Sequence, residues 1–163
     1  MDRRLEVRKN VNRGYRKLRT WRMGIDLYAF LYEKVKEIPN TPFRLIAQIL
    51  DAGLSISANI AEGYCRRSLK EYLNFLNIAL GSAGEVYSQC YACYRTGQIS
   101  ERTFDAIDER HFMMENALLR QIESLQAKQQ KGEWDDNLFL REDEVVYLLN
   151  EIDNEQKSGS MEK

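Results

Sequence analysis

Three cysteines and one histidine are the residues of this chain whose chemistry could catalyse a reaction or hold a metal. Cys90 and Cys93 form a C-x-x-C pair, but a redox pair of this type lies at a helix N-terminus, and this one falls near the end of a predicted helix. A zinc site needs four ligands, and only Cys65 and His111 remain to complete the set. The pattern therefore favours packing roles for Cys90, Cys93 and His111, with no metal and no cofactor.

Other patterns typical of enzymes do not occur. A diiron bundle needs Glu-x-x-His on paired helices, whereas Asp108 precedes His111 by three residues and no second copy exists. Gly81 and Gly84 fall inside a predicted helix, where we expect them to allow close contact with another helix rather than to bind phosphate. We predict that the protein is not an enzyme, with a thiol or metal enzyme as the minor alternative.

A second group of residues could bind phosphate. Residues 1–22 contain nine Lys and Arg against two acids, while residues 133–163 contain ten acids against three bases. Nine basic residues near Tyr15 and Trp21 suit contact with phosphates and stacking on nucleobases. They suit equally a solvated extension of the first helix, or pairing with the acidic tail. With a smaller cluster downstream, the candidate nucleic-acid-binding residues are Arg3, Arg4, Arg8, Lys9, Arg13, Arg16, Lys17, Arg19, Arg22, Arg66, Arg67 and Lys70.

Four long helices must position these residues. The first is predicted over residues 15–38, because both prolines of the chain follow at once. The second begins with Thr41 as N-cap and Pro42 as first residue, and runs to about residue 64. The third opens with a capping box formed by Ser68 and Glu71 and runs to about residue 95, before Gly97. The fourth begins at Ser100 and runs to residue 131, where Gly132 ends it.

The second and third helices each carry two apolar lines. In the second helix they are Phe43, Ala47, Leu50, Leu54 and Ala61, and Ile46, Ile49, Gly53, Ile56 and Ile60. In the third they are Leu69, Leu73, Leu76, Leu80, Ala83, Tyr87, Cys90 and Tyr94, and Tyr72, Phe75, Ala79, Ser82 and Val86. The fourth has one narrow face: Phe104, Ile107, His111, Met114, Leu118, Ile122 and Leu125. Because an isolated bundle buries about one line per helix, the surplus predicts a homo-oligomer. The alternative is a single broad core face.

The predicted fold is therefore all-α: an antiparallel up-and-down four-helix bundle with a short extra C-terminal helix, homo-oligomeric. Residues 1–14 form a basic arm, 15–131 the bundle, 132–154 an acidic segment with an amphipathic helix, and 155–163 a disordered tail. The longest apolar stretch near the N-terminus is too short for a secretion signal or a membrane span. We accordingly expect a cytoplasmic protein with reduced thiols and no membrane contact.

The middle of the chain resembles a known family. The segments 55–63 (SISANIAEG), 66–71 (RRSLKE) and 75–82 (FLNIALGS) carry the resemblance, with weaker matches from Leu18 to the turn at 96–99. They are similar to the bacterial four-helix bundle proteins, first described as encoded in intervening sequences of large-subunit ribosomal RNA genes. The resemblance covers roughly residues 15–127. Within it we expect a structural motif, Asn59, Glu62, Gly63, Ser68 and Glu71, to lock the turn between the second and third helices. The alternative is a binding role.

The resemblance implies a homopentamer with a central opening. A distant relative, the accessory protein of diversity-generating retroelements, binds reverse transcriptase and nucleic acid, so RNA or DNA and a protein partner such as a reverse transcriptase are implied partners. This chain departs from the family where Leu50 and Asp51 replace two basic residues that often follow Gln-Ile. The leading hypothesis is a non-enzymatic nucleic-acid-binding or adaptor protein. The alternative is a protein–protein scaffold without nucleic-acid binding, whose tails dock a partner or a neighbouring subunit.

Overall fold

The computed structural model describes residues 11–35, 38, 43–66 and 68–134. A short 3-10 helix, Val11–Lys17, precedes four α-helices: α1 (Arg19–Val35), α2 (Phe43–Tyr64), α3 (Leu69–Arg95) and α4 (Glu101–Lys131). No strand occurs in these ranges, and the all-α prediction with four helices is confirmed. The predictions for residues 1–10, for Thr41 and Pro42, for Arg67, and for the segment and tail after residue 134 lie outside the described residues.

Local capping chemistry ends α3 and both begins and ends α4 where the sequence predicted. Gly97 and Gly132 adopt the left-handed backbone conformation, with φ of 71° and 68°, which a side chain would disfavour. Ser100 is the N-cap of α4, and its hydroxyl oxygen accepts a 3.1 Å hydrogen bond from the Thr103 backbone N–H. These boundaries depend on neighbouring residues alone, which is why the sequence could predict them.

The predicted start of the first helix at residue 15 is wrong. The backbone forms the 3-10 helix to Lys17, interrupts it at Leu18, and enters α1 at Arg19. Leu18 is fully buried, and its carbonyl oxygen accepts the hydrogen bond from Arg22 N–H that opens the α-helix. The break therefore falls at a core residue, and the 3-10 helix before it packs against α2.

Two further local predictions are also wrong. Ser68 is the N-cap of α3, but its side chain makes no capping hydrogen bond, so the capping box with Glu71 does not form. Both residues lie at the surface, where water can satisfy the first N–H groups of the helix. No other helix in the described ranges comes close at Gly81 or Gly84, because a Cβ built on either would meet nothing within 4 Å.

The four helices enclose one core. α1 packs against α2 and α4, and α3 packs against the same two helices. Between α3 and α4, early residues of one helix meet late residues of the other: Tyr72 meets Gln121, and Ala83 meets His111. The fully buried centre comes from all four helices and includes Leu27, Leu31, Ile49, Ile56, Ile60, Tyr72, Leu76, Met114, Leu118 and Leu125. The narrow apolar face predicted for the fourth helix is buried along its whole length.

One of the two apolar lines on α2 is at most half-buried in the single chain, and of its members Leu50 packs partly against the core. Ile49, Gly53, Ile56 and Ile60 are buried, whereas every member of the other line is exposed or half-buried: Phe43, Ala47, Leu50, Leu54 and Ala61. We call this second line the outer face of α2. Phe43 is 84% exposed and Leu54 is 47% exposed. On α1, Tyr28 lies against Gly53 beside this face. In the described ranges no helix combines the length and apolar character needed to cross a membrane.

Candidate nucleic-acid interface

The 3-10 helix before α1 packs on the C-terminal end of α2. The rings of Tyr15 and Tyr64 meet edge to face with their centroids 6.3 Å apart. Next to them, a Cβ on Gly14 would lie 1.9 Å from the Tyr64 hydroxyl oxygen, so the approach requires glycine at this position. This contact brings the last residues of the predicted basic arm close to the start of α3, where the second basic cluster lies.

Backbone carbonyls hold two arginines of this segment. The Arg22 Nε–H donates a 2.8 Å hydrogen bond to the Arg16 carbonyl oxygen, and the Arg16 Nε–H donates a 3.2 Å hydrogen bond to the Arg13 carbonyl oxygen. Hydrogen bonds from a charged donor are stronger than those from a neutral donor. These two bonds satisfy carbonyl oxygens of the 3-10 helix. Each uses only one of the five donors of a guanidinium, so the bonds fix the positive charges in place without neutralising them.

The second basic cluster is partly occupied by local contacts. Arg66 forms an ion pair with Glu62, one turn earlier on α2, and its guanidinium lies 4.9 Å from the centre of the Phe75 ring. Both charged side chains are largely exposed, so the pair adds little stability. It nevertheless offsets part of the positive charge predicted here. Lys70 is exposed, and Arg67 lies outside the described residues.

Charge is unevenly distributed along the bundle. One half of the bundle contains the 3-10 helix, the α2–α3 turn and the end of α4. It comprises described residues 13–26, 57–66, 68–74 and 118–134, and we call it the basic half. It carries ten Lys and Arg against five Asp and Glu, whereas the remaining described residues carry five against eight. The basic residues of the 3-10 helix and α1 therefore share one half with Lys70: Arg13, Arg16, Lys17, Arg19 and Arg22. The same half holds basic residues of α4 that were not among the candidates from the sequence: Arg120, Lys128 and Lys131.

A buried polar network joins three helices inside the basic half. Thr20 on α1 donates a 2.6 Å hydrogen bond from its hydroxyl to Gln121 Oε1, and Gln121 Nε2 donates a 2.7 Å hydrogen bond to the Tyr72 hydroxyl oxygen. All three side chains are buried. Burial also raises the pKa of the Tyr72 hydroxyl, so it stays neutral. The network fixes α1, α3 and α4 relative to one another beneath the basic surface.

The predicted motif residues near the α2–α3 turn make several separate contacts. Asn59 Nδ2 donates 2.8 Å and 2.9 Å hydrogen bonds to the carbonyl and hydroxyl oxygens of Ser55, within α2 itself. The Ser55 hydroxyl in turn lies 2.9 Å from that of Ser82, which connects α2 to α3. Gly63 permits the close approach, because a Cβ there would lie 2.7 Å from Phe75 Cβ. The small residues thus set how closely α2 and α3 pack.

The residues that could do redox or metal chemistry differ in burial. Cys90 and Cys93 are buried, and desolvation raises the pKa of both thiols, that of Cys90 to about 12. His111 is buried and its Nε2 lies 2.8 Å from the Ala83 carbonyl oxygen, so this nitrogen carries a proton and donates to the backbone. Cys65 is exposed. Within the part of the chain that the structure describes, no three His, Cys, Asp or Glu residues form a group that could hold a metal ion.

Fold and surface together define an all-α protein of four packed helices with one basic half. The family model of the 23S rRNA-intervening sequence protein matches residues 16–120, and the chain belongs to that family. No curated protein matches the chain. It is similar to a solved structure from Bacteroides thetaiotaomicron VPI-5482, described as a protein with unknown function from the S23 ribosomal protein family. The two are 30% identical with a TM-score of 0.50, and the match covers 69% of this chain and 98% of the other.

Proposed function

We propose that this protein is a non-enzymatic, cytoplasmic homo-oligomer that binds nucleic acid through the basic half of an up-and-down antiparallel bundle. The observation that carries the proposal is the clustering in one half of basic residues from four separate stretches of chain: the 3-10 helix, α1, the start of α3 and the end of α4. Each Lys or Arg that contacts a phosphate releases condensed counterions, and this release drives sequence-independent binding. The bound nucleic acid is RNA or DNA, recognised by its backbone.

Aromatic residues support the same function. Trp21 is half-buried in the basic half, and its ring meets that of Tyr15 at 5.4 Å and a steep angle. Exposed ring surface beside arginines suits a single strand, because every base has a face that can stack. The rings come from the 3-10 helix and α1, so the stacking surface and the phosphate contacts would follow the same path along the bundle.

The outer face of α2 supports the homo-oligomer. It places apolar side chains from Phe43 to Ala61 at the surface of one chain, with Tyr28 packed beside it on α1. Soluble proteins seldom leave a large contiguous apolar patch exposed, so another copy of the chain would cover it. Assembly would then link several weak basic surfaces, and linked sites bind a long polyanion far more tightly than one site can.

A salt titration with matched variants tests nucleic-acid binding. The probes are fluorescent 20-mers of single-stranded DNA and RNA, with affinity measured by anisotropy over a range of salt. One variant replaces three exposed basic residues of the basic half: Arg13→Gln, Arg19→Gln and Lys70→Gln. Its control replaces three exposed basic residues of the other half: Arg44→Gln, Arg95→Gln and Arg102→Gln. For single strands the slope of log affinity against log salt is about −0.7 per phosphate contact, so the first variant should reduce the slope by about 2. The control changes net charge equally and should keep most of the slope.

Equal losses in the two variants, or no binding by the unaltered protein at low salt, would refute this function. The second candidate is then a scaffold that binds a protein such as a reverse transcriptase. The outer face of α2 favours it, because an exposed apolar helix face can receive a different chain as well as a second copy. Under that reading, nucleic acid co-purifies no better with this protein than with a neutral control protein.

A further inference from the structure

The described chain ends within the basic half. α4 contacts Thr20 through Gln121, and its last ten residues continue about 15 Å further along the helix axis to Lys131. Gly132, in the left-handed conformation, ends the helix, and Trp134 then packs partly buried against the core. Among the described residues the buried Trp134 indole N–H has no hydrogen-bond partner. Whatever follows Trp134 therefore starts beside the basic surface and next to an unsatisfied donor.

The chain that follows has the opposite charge. Residues 135–154 contain seven Asp and Glu against one Arg, which nearly balances the excess of five positive charges on the basic half. Fully extended, twenty residues reach up to about 70 Å, so this segment can reach every basic residue of that half. Its apolar residues from Val145 to Ile152 also keep helical spacing, which gives it one face to pack against the protein.

We propose that the segment of residues 135–154 docks on the basic half of its own chain and competes there with nucleic acid. The carboxylates take the positions that phosphates would otherwise occupy, and the tether keeps them close. The docking itself follows from charge and attachment point, while the competition rests on the function proposed above. The protein would thus bind nucleic acid below its full capacity until the segment is displaced.

The size of the effect follows from the tether. A short flexible linker holds its end at an effective concentration of about 1 mM. If the free segment binds the basic half with a dissociation constant of about 0.1 mM, the tethered segment occupies the surface about ten times more often than not. Apparent affinity for nucleic acid would then be about tenfold lower than that of the uncovered surface. Salt weakens both interactions, so the difference should shrink as salt rises.

Neutralising the segment in the full-length protein tests the competition. One variant removes five of its charges: Asp135→Asn, Asp136→Asn, Glu142→Gln, Asp143→Asn and Glu144→Gln. A matched control removes five exposed acids from the other half: Asp51→Asn, Glu85→Gln, Glu101→Gln, Asp105→Asn and Glu109→Gln. With a single-stranded 20-mer at low salt, the first variant should bind about tenfold more tightly than the unaltered protein. The control should change by less than about threefold, because it alters net charge alone. Equal gains would overturn the competition.

A synthetic peptide of residues 135–154 tests the docking without nucleic acid. Both tryptophans, Trp21 and Trp134, lie outside the peptide and within the basic half, so their fluorescence reports its binding. The receptor is the protein ended after Trp134, which keeps all four helices, and its circular dichroism is compared with that of the full chain. We expect saturable, salt-sensitive binding near 0.1 mM, and none by a peptide with every Asp and Glu changed to Asn and Gln. The full-length neutralised variant should bind the acidic peptide too. If neither receptor binds it, the docking is wrong.

The two sets of results separate the two proposals. Peptide binding without any nucleic-acid binding would keep the docking and refute the proposed function. Nucleic-acid binding that the segment variant leaves unchanged would keep the function and refute the competition.

Discussion

Gln121 on α4 donates a 2.7 Å hydrogen bond to the hydroxyl oxygen of Tyr72 on α3, and both side chains are buried. The same amide accepts the hydroxyl hydrogen of Thr20 through its oxygen, so a single glutamine satisfies two other buried polar groups. Burial of a polar group without a hydrogen-bond partner costs free energy of folding. Gln121 therefore stabilises the fold by providing partners for both hydroxyls.

The first prediction concerns this amide. Gln121→Leu removes the partners of two buried hydroxyls, and we expect the free energy of unfolding to fall by about 2–4 kcal/mol. The triple variant Thr20→Val, Tyr72→Phe, Gln121→Leu removes the hydroxyls as well and should recover part of that loss, because no polar group is then left unpaired. Urea unfolding at one fixed protein concentration measures both. A triple variant less stable than Gln121→Leu alone would show that the network is not what holds the three helices.

The second prediction concerns the close approach of α2 and α3. Gly63→Ala places a methyl carbon 2.7 Å from Phe75 Cβ and 2.9 Å from Tyr72 Cδ2, so the helices must move apart. Overpacking of this kind destabilises by about 1–3 kcal/mol. Gly84→Ala is the matched control: its Cβ meets nothing, and alanine in a helix interior is favoured over glycine by about 0.5–1 kcal/mol.

Thermal unfolding followed by circular dichroism should therefore give shifts of opposite sign for the two substitutions. A lower melting temperature for Gly84→Ala would indicate that α3 makes a close contact there in the assembled protein, and would contradict the open space seen beside it in one chain.

The third prediction concerns the thiols. Burial raises the pKa of Cys90 to about 12, so at pH 8 only about one in ten thousand of these side chains is the reactive thiolate. The pKa of Cys93 is raised as well, and Cys93 is buried, whereas Cys65 is exposed. We expect one thiol to react rapidly with a chromogenic disulfide reagent in the native protein, and all three after denaturation.

The variant Cys65→Ser provides the control, since it should leave no rapidly reacting thiol in the native state and two in the unfolded state. Because thiolate is the reactive form, the native rate at Cys90 should rise with pH toward 12. Rapid labelling of the native Cys65→Ser variant would mean that Cys90 or Cys93 is accessible to the reagent. A redox role for the C-x-x-C pair would then have to be considered again.

How far the sequence predicts this structure depends on the range of the interactions. Gly97, Ser100 and Gly132 mark helix ends through contacts within a few residues, and these predictions are confirmed. Gln121 gave a weaker signal that could have been used: it lies three residues after Leu118 and four before Leu125, in phase with the buried face of α4. A polar residue in such a position needs a partner, but only the fold shows which one.

The packing of the 3-10 helix on α2 could not be predicted from local sequence. Tyr15 and Tyr64 are forty-nine residues apart, and nothing local to either indicates that they meet. Their contact brings the basic residues of the 3-10 helix to the end of α2. The charges themselves were evident in the sequence, while their collection into one half of the bundle, together with Arg120, Lys128 and Lys131, required the arrangement of the helices.

The last prediction concerns the outer face of α2. Leu54 is 47% exposed and Phe43 is 84% exposed in the single chain, although both continue an apolar line. If a second copy covers this face, Leu54→Ser with Phe43→Ser should shift the protein toward smaller species in multi-angle light scattering. Helical content should hold, because neither side chain contributes to the core.

The matched control is Phe112→Ser with Met113→Ser on α4, which removes two residues of similar exposure that do not belong to that line. An assembly that survives the α2 variant but not the control would place the interface on α4. An unaltered protein that is monomeric at micromolar concentration would remove the need for any interface, and with it the linkage of several basic surfaces.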